Sequence, residues 1–209
     1  MTTIERDIIY WGRCLYERKL ITGWGGNISR RIGRNRFLIT GRNSPLGFLT
    51  PKDLVEINSV GVPTKKTQTP SSESPLHLAV YKETEAMAVI HVHPPTIVVF
   101  SLANESFVPL SWEERYILKE IPVVPQLTPT VRDPAKVVEV IRNRPIVILK
   151  GHGTVARGNN LRDAFLLTDL LEGAIHCQFL KDGMPSAEQG TVPQTGAVSG
   201  VLSSTGKQE

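Results

Sequence analysis

The stretch AVIHVHPP (88–95) follows a helix-patterned run and ends in two prolines. Its short apolar run reads as a strand, and proline stops sheet pairing, so the strand ends open just after His93. Side chains two residues apart on a strand share a face, about 6.5–7 Å apart. His91 and His93 therefore stand together at the open end. Two imidazoles so placed can lean toward one ion at about 2.0–2.1 Å per Zn–N bond. Alone, the pair would equally suit two solvent-facing or core histidines.

A third histidine narrows the choice. PIVILK (145–150) reads as a second buried strand, and GHGT (151–154) follows it directly. The glycines flanking His152 permit a sharp turn and a close backbone approach. His91, His93 and His152 could thus form a three-histidine metal set, which leaves one coordination position open, as in catalytic sites. TPSSESPLH (69–77) places Ser71 and Ser72 before a helix, where hydroxyls and free N–H groups suit an anion such as phosphate. Ser72 could instead be a simple N-cap of a helix over 73–84, with Pro75 in its first turn. Glu73 could ligate the ion, act as a general base, or simply complement the helix dipole. His77 lies one turn from Glu73 and could orient it, or be a packed or surface histidine. His176 falls on the last helix, with a surface or interface role.

Working outward, Ile4, Ile8, Trp11 and Leu15 make a helical stripe over 4–20 that GWGG (23–26) ends. NISRRIGRNRFLIT (27–40) reads as a hairpin turning near 33–35. Thr50-Pro51-Lys52-Asp53 is a helix start, VEIN a strand, and GVPTKKTQTP a loop. Helices are expected at PPTIVVFSLA, at DPAKVVEVIRN capped by Asp133, and over residues 160–182; VPLSWEERYILKEIPVVPQL stays ambiguous. Strands alternating with helices, with two hairpins, predict a three-layer α/β/α sandwich around a mainly antiparallel or mixed sheet. It would span residues 1–182. Residues 183–209 are rich in Gly, Ser, Thr, Gln and Pro, and read as a flexible C-terminal tail.

The 209 residues suffice for a core without disulfides, and Cys14 and Cys177 lack any framework spacing, which suits a reducing cytoplasmic setting. No signal peptide and no membrane span are read. The net charge is +4, with arginines crowding RRIGRNR (30–36) and Arg42. No aromatics interleave with them, so a solvated hairpin edge suits this run better than nucleic acid. Attraction of an anionic small molecule is the intermediate reading.

Taken jointly and in order, GWGGNIS (23–29), LIT with LTPKDLVEIN (38–58), TPSSESPLHLAVY (69–81), AVIHVHPP (88–95) and GHGTVARG (151–158) resemble the class II aldolase/adducin family over residues 4–181. The resemblance implies that His91, His93 and His152 hold zinc, with manganese or cobalt as alternatives, and that Glu73 is the acid/base. It implies a phosphate pocket built from Asn27, the turn near Thr40, Ser71 and Ser72. In this turn GRNSPLG replaces the family's PTG-type sequence, which brings Arg42 and Asn43 to it and lets Arg42 meet a phosphate or carboxylate. It further implies a homotetramer with active sites at subunit interfaces, acting on a sugar phosphate. The expected reaction is metal-dependent cleavage of a ketose-1-phosphate to dihydroxyacetone phosphate and an aldehyde, the metal polarising the ketone. Epimerases of this fold carry SSD, so SSE favours an aldolase; another lyase or an epimerase is the alternative. A non-catalytic, adducin-like domain should lack the three histidines. The place of the family aldolase's tyrosine that protonates the aldehyde oxygen falls near Trp112 or Glu113, with Tyr116 slightly later, and a second tyrosine of the family's C-terminal tail has no counterpart in this tail.

Overall fold

The computed structural model describes residues 1–184. The tail expected over 183–209 lies outside them from residue 185 onward. The elements run α1 (Thr3–Glu17), β1 (Asn27–Gly33), β2 (Arg36–Thr40), β3 (Leu54–Asn58), α2 (Ser74–Glu83), β4 (Ala88–Val92) and α3 (Pro95–Ala103). There follow β5 (Ser106–Phe107), α4 (Trp112–Leu118), β6 (Ile121–Val124), α5 (Ala135–Ile141), β7 (Ile146–Leu149), β8 (Gly153–Gly158) and α6 (Leu161–Asp182). The eight strands form one sheet in the order β3-β2-β1-β4-β8-β7-β6-β5. Only β6 and β7 pair in parallel, so the expected α/β sandwich around a mainly antiparallel sheet is what the chain builds.

Strand alternation sorts the core into two layers. Ile28, Leu38, Ala88, Ile90, Ile146, Ile148 and Ala156 face one side, with α1, α3 and α6. Phe37, Ile39, Val89, Val147, Leu149 and Val155 face the other, with α2 and α5. A period of two puts neighbours on opposite faces. Asn27, Ser29 and His91 therefore point to the α2 side, and Asn27 pairs with His91 across the β1–β4 ladder.

Local signals account for the element ends. Thr2 and Glu5 make a reciprocal capping box on α1, and Thr50 and Asp53 do so on a 3₁₀ turn at Pro51–Asp53. Asp133 Oδ1 accepts from the Ala135 N–H at the start of α5. The ambiguous 108–127 stretch holds α4, capped by Ser111, and the short β6. Two expectations are corrected. First, α2 begins at Ser74 with Glu73 at its N-cap, so Ser72 is not the cap. The Ser71 hydroxyl accepts from the Glu73 N–H instead, because Ser71 stands two residues before it as an ST-turn requires. Second, the arginine-rich hairpin is no sheet edge: β2 lies between β1 and β3, and β1 between β2 and β4. Its charges serve the fold. Arg30 pairs with Asp7 and Arg36 with Glu56, while Arg31 lies over Phe37 and Tyr81 and donates to the Ala86 and Tyr81 carbonyls. Among the described residues no helix is long and apolar enough to cross a membrane.

Candidate metal centre and anion cleft

The three histidines meet. His91 is the penultimate residue of β4, His93 follows just past its open end, and His152 occupies the turn between β7 and β8. Their ligand nitrogens lie within 4.8 Å of one another. His91 Nδ1 is 2.8 Å from the Thr154 carbonyl. A carbonyl only accepts, so Nδ1 carries the proton and Nε2 presents its lone pair. That Nε2 is 3.2 Å from His93 Nε2. Two ligands of a tetrahedral ion at ordinary Zn–N lengths stand about 3.3 Å apart, so the pair is spaced for one. Burial pushes all three rings down from their usual range: His91 far down, helped by its two histidine neighbours, His93 to about 4 and His152 by a lesser amount. All three are neutral at pH 7, as metal ligation requires. His152 Nδ1 is buried without a hydrogen-bond partner. Three neutral imidazoles with an orphaned nitrogen fit a divalent cation.

Glycine holds this geometry. Gly151 has φ +65° and turns the chain into His152. A Cβ on Gly153 would stand 2.2 Å from the Val92 carbonyl oxygen and 2.8 Å from His93 Cδ2. Gly26, at φ +80°, lies so close to β4 that its Cβ would meet the His91 oxygen at 2.9 Å.

Beside the histidines opens a polar cleft of about 140 Å³. Asn27, Arg42, Asn43, Ser71, Ser72 and Glu73 line it together with His91, His93 and His152. Gly41 bridges to Pro70, and the Arg42 N–H donates to the Thr69 carbonyl, which brings the 41–44 turn against the serine pair. Asn43 sits there at φ +59°, a conformation asparagine tolerates. Thr40 is not brought in. It is off the cleft by strand parity, and its hydroxyl accepts from the Ile28 N–H at 3.2 Å. The sequence missed Trp24, Ser44, Pro129 and Thr130, which also line the cleft. GWGG was the available sign for Trp24; the 125–132 connection has no pattern that would announce it.

Glu73 is 4% exposed, and its carboxylate oxygens accept from the Val131 N–H at 3.0 and 3.2 Å. Burial raises its pKa, and the Val131 N–H partly offsets this. His77 does not orient Glu73: its ring is 1% exposed and bound to Ser29 and Asn27. His176 is exposed on α6. On the far side of His93 and His152 lies a wider, more apolar cleft with Thr22, Val98, Val99, Leu127 and Lys150 in its walls.

A mixed sheet carrying a histidine trio beside a polar cleft can set a divalent cation next to a small polar ligand. The profile of the Class II Aldolase and Adducin N-terminal domain matches residues 6–179, and the chain belongs to this family. It is similar to L-fuculose phosphate aldolase of Methanocaldococcus jannaschii, 34% identical over 173 residues, covering 80% of this chain and 91% of that one. It is also similar to 3-oxo-tetronate 4-phosphate decarboxylase of Haemophilus influenzae, 30% identical over 191 residues and covering 84% and 87%. The crystal structure of L-fuculose-1-phosphate aldolase from Thermus thermophilus superposes with a TM-score of 0.78 at 30% identity, covering 88% of this chain and 98% of that one.

Proposed function

We propose that the protein is a metal-dependent aldehyde-lyase that cleaves a ketose-1-phosphate to dihydroxyacetone phosphate and an aldehyde. One observation carries the reading: three neutral, converging imidazoles share a cleft with a buried carboxylate and a serine pair at a helix start. His91, His93 and His152 would hold a zinc ion, or manganese or cobalt in its place, and the bound ion would supply Lewis acidity to the substrate's carbonyl.

The chain's own groups do the rest. Asn27, Ser71 and Ser72 hold the phosphate, joined by Arg42 and Asn43 from the facing turn, so that remote binding orients the reacting carbons. Thr40 serves this pocket through its backbone, its carbonyl accepting from the Ser71 N–H. Glu73 returns a proton to the carbon released when the C–C bond breaks, and removes it in condensation. Burial raises its pKa and so favours the protonated form that the cleavage direction uses. The apolar cleft beyond His93 takes the aldehyde half. Exposed Trp112 and Tyr116 on α4 suit subunit contacts of a cytoplasmic homotetramer with active sites at its interfaces.

A second reading is decarboxylation of a sugar-acid phosphate. The Haemophilus influenzae relative favours it, as does Arg42, whose guanidinium suits a carboxylate. The test is a panel of ketose-1-phosphates with release of dihydroxyacetone phosphate coupled to an NADH-linked dehydrogenase, with and without chelator, beside Glu73→Gln. Release that chelator abolishes, zinc restores and Glu73→Gln cripples supports the aldolase. No release by protein holding one metal ion per chain, with carbon dioxide evolved from sugar-acid phosphates, establishes the second reading.

A further inference from the structure

Behind the cleft, between β1 and α2, lies a run of buried polar side chains that starts from Asn27 in the cleft wall. Asn27 Oδ1 is 2.6 Å from His77 Nε2, His77 Nδ1 is 2.6 Å from Ser29 Oγ, and Ser29 Oγ is 2.8 Å from the Tyr81 hydroxyl. Ser29, His77 and Tyr81 are 0%, 1% and 3% exposed. The β1–β4 register explains the alignment: Asn27 and Ser29 point to the same face two residues apart. His77 and Tyr81 stand one turn apart on the facing side of α2.

Only one assignment of hydrogens satisfies every member. Among the described residues the Tyr81 hydroxyl has one side-chain partner, Ser29, so its hydrogen goes there. The Ser29 hydrogen then goes to His77 Nδ1, its other neighbour. With Nδ1 accepting, the neutral ring carries its proton on Nε2, which donates to Asn27 Oδ1. The Asn27 amide nitrogen has no protein partner among the described residues, and Asn27 lines the cleft. The flipped amide would put its oxygen toward the bound anion and leave the Tyr81 hydrogen buried without an acceptor.

We propose that His77, backed by Ser29 and Tyr81, is a positioning residue that locks the Asn27 amide with its NH₂ group toward the cleft. Asn27 is thereby a fixed hydrogen-bond donor, and the pocket takes a ligand that only accepts at that point, such as a fully ionised phosphate. The idea rests on the cleft being the anion pocket of the proposed reaction. Burial lowers the His77 pKa to about 3, which keeps the ring neutral and its relay intact at working pH.

Two measurements on the full-length, metal-loaded protein test it. Nitrogen-15 NMR of ring-labelled protein at pH 7, with the His77 signals assigned by their loss in His77→Gln, should show a bare Nδ1 and a protonated Nε2. The reverse tautomer, or a doubly protonated ring, overturns the proposal. Titration with inorganic phosphate should show a loss of about tenfold to a hundredfold in His77→Phe, the range for one hydrogen bond to a charged group. Asn27→Ala should lose a similar factor, and the double variant no more than Asn27→Ala alone, because both act through one donor. Multiplying losses overturn the proposal. His77→Gln carries an amide donor and should recover most of the affinity; should His77→Phe not fold, this variant and the ring tautomer decide. Metal content should stay at one ion per chain throughout. Wild-type protein that binds no phosphate overturns the anion reading of the cleft, and the ring tautomer then decides the role of His77 by itself.

Discussion

Replacing Gly153 by alanine should damage the candidate metal centre without replacing any of its three histidines. The added Cβ would sit 2.2 Å from the Val92 carbonyl oxygen, 2.8 Å from His93 Cδ2 and 3.0 Å from His93 Cα. Ordinary contact begins near 3.4 Å, so β4 and β8 must part by about 1 Å where they meet the histidines. Two of the three opposing atoms are backbone and cannot rotate away. Overpacking of this kind costs about 1–3 kcal/mol. For a chain of this length that is roughly 2–4 °C of Tm per kcal/mol. His93 moves with the strand, so metal affinity should drop about 10–100-fold, as when a ligand's support is removed. Gly173→Ala is the matched control: nothing lies within 4 Å of its Cβ position, in the middle of α6. It should gain up to about 1 kcal/mol from helix propensity and leave the metal alone. Thermal melts with chelator present, and competition against a chromophoric chelator, read the two effects separately. A Gly153→Ala protein as stable as wild type, with unchanged metal affinity, would refute the close approach of β8 to His93.

Three further outcomes follow from the site. Thr40→Val should cost about 1–3 kcal/mol, by leaving the buried Ile28 N–H without its acceptor, yet leave substrate KM within a factor of about two, since the hydroxyl does not face the cleft. Arg42→Met should raise KM for the phosphorylated substrate about tenfold, with metal content and melting temperature unchanged, because the side chain is exposed at the rim. His77 should shape the acid limb of stability. Its folded pKa is about 3 against an ordinary 6.5, so below pH 6.5 the unfolded chain takes a proton that the folded ring refuses. Stability therefore falls with falling pH by about 1.4 kcal/mol per unit from this group, or about 2 kcal/mol between pH 6.5 and 5. Denaturant melts of metal-loaded wild type and His77→Gln should differ by that slope in that window; parallel curves would count against a buried neutral ring.

The sheet and most helices were legible because their signals are local. A strand that stops short of Pro94, a helix that opens at Pro95 and glycines about His152 act within a few residues. The meeting of the three histidines was legible for the same reason: H-x-H is a statement about strand period, and GHG about a turn. What depended on parity was harder. Thr40 sits beside the right strand end, but the alternation that turns Ile39 toward α2 turns Thr40 away. Contacts between distant segments left no mark at all. Nothing in SPLH announces that His77 will reach Asn27, fifty residues earlier in the chain. Nor does QLTPTVRD show that the Val131 N–H will settle on Glu73. The arginines of the hairpin were misjudged because the sequence does not say which strands end up at an edge.

The hydrogen bond from His91 Nδ1 to the Thr154 carbonyl joins positions 63 residues apart in sequence, on two neighbouring strands at the middle of the sheet. An ion held there would act as a clasp between segments far apart in sequence, tying the end of β4 to the β7–β8 turn. It binds the folded chain and has little hold on the unfolded one, so every tenfold excess of free ion over its Kd adds about 1.4 kcal/mol to global stability. In a cell the intact population would then follow the free-metal supply. A shortage of the ion would then show as faster turnover of the polypeptide.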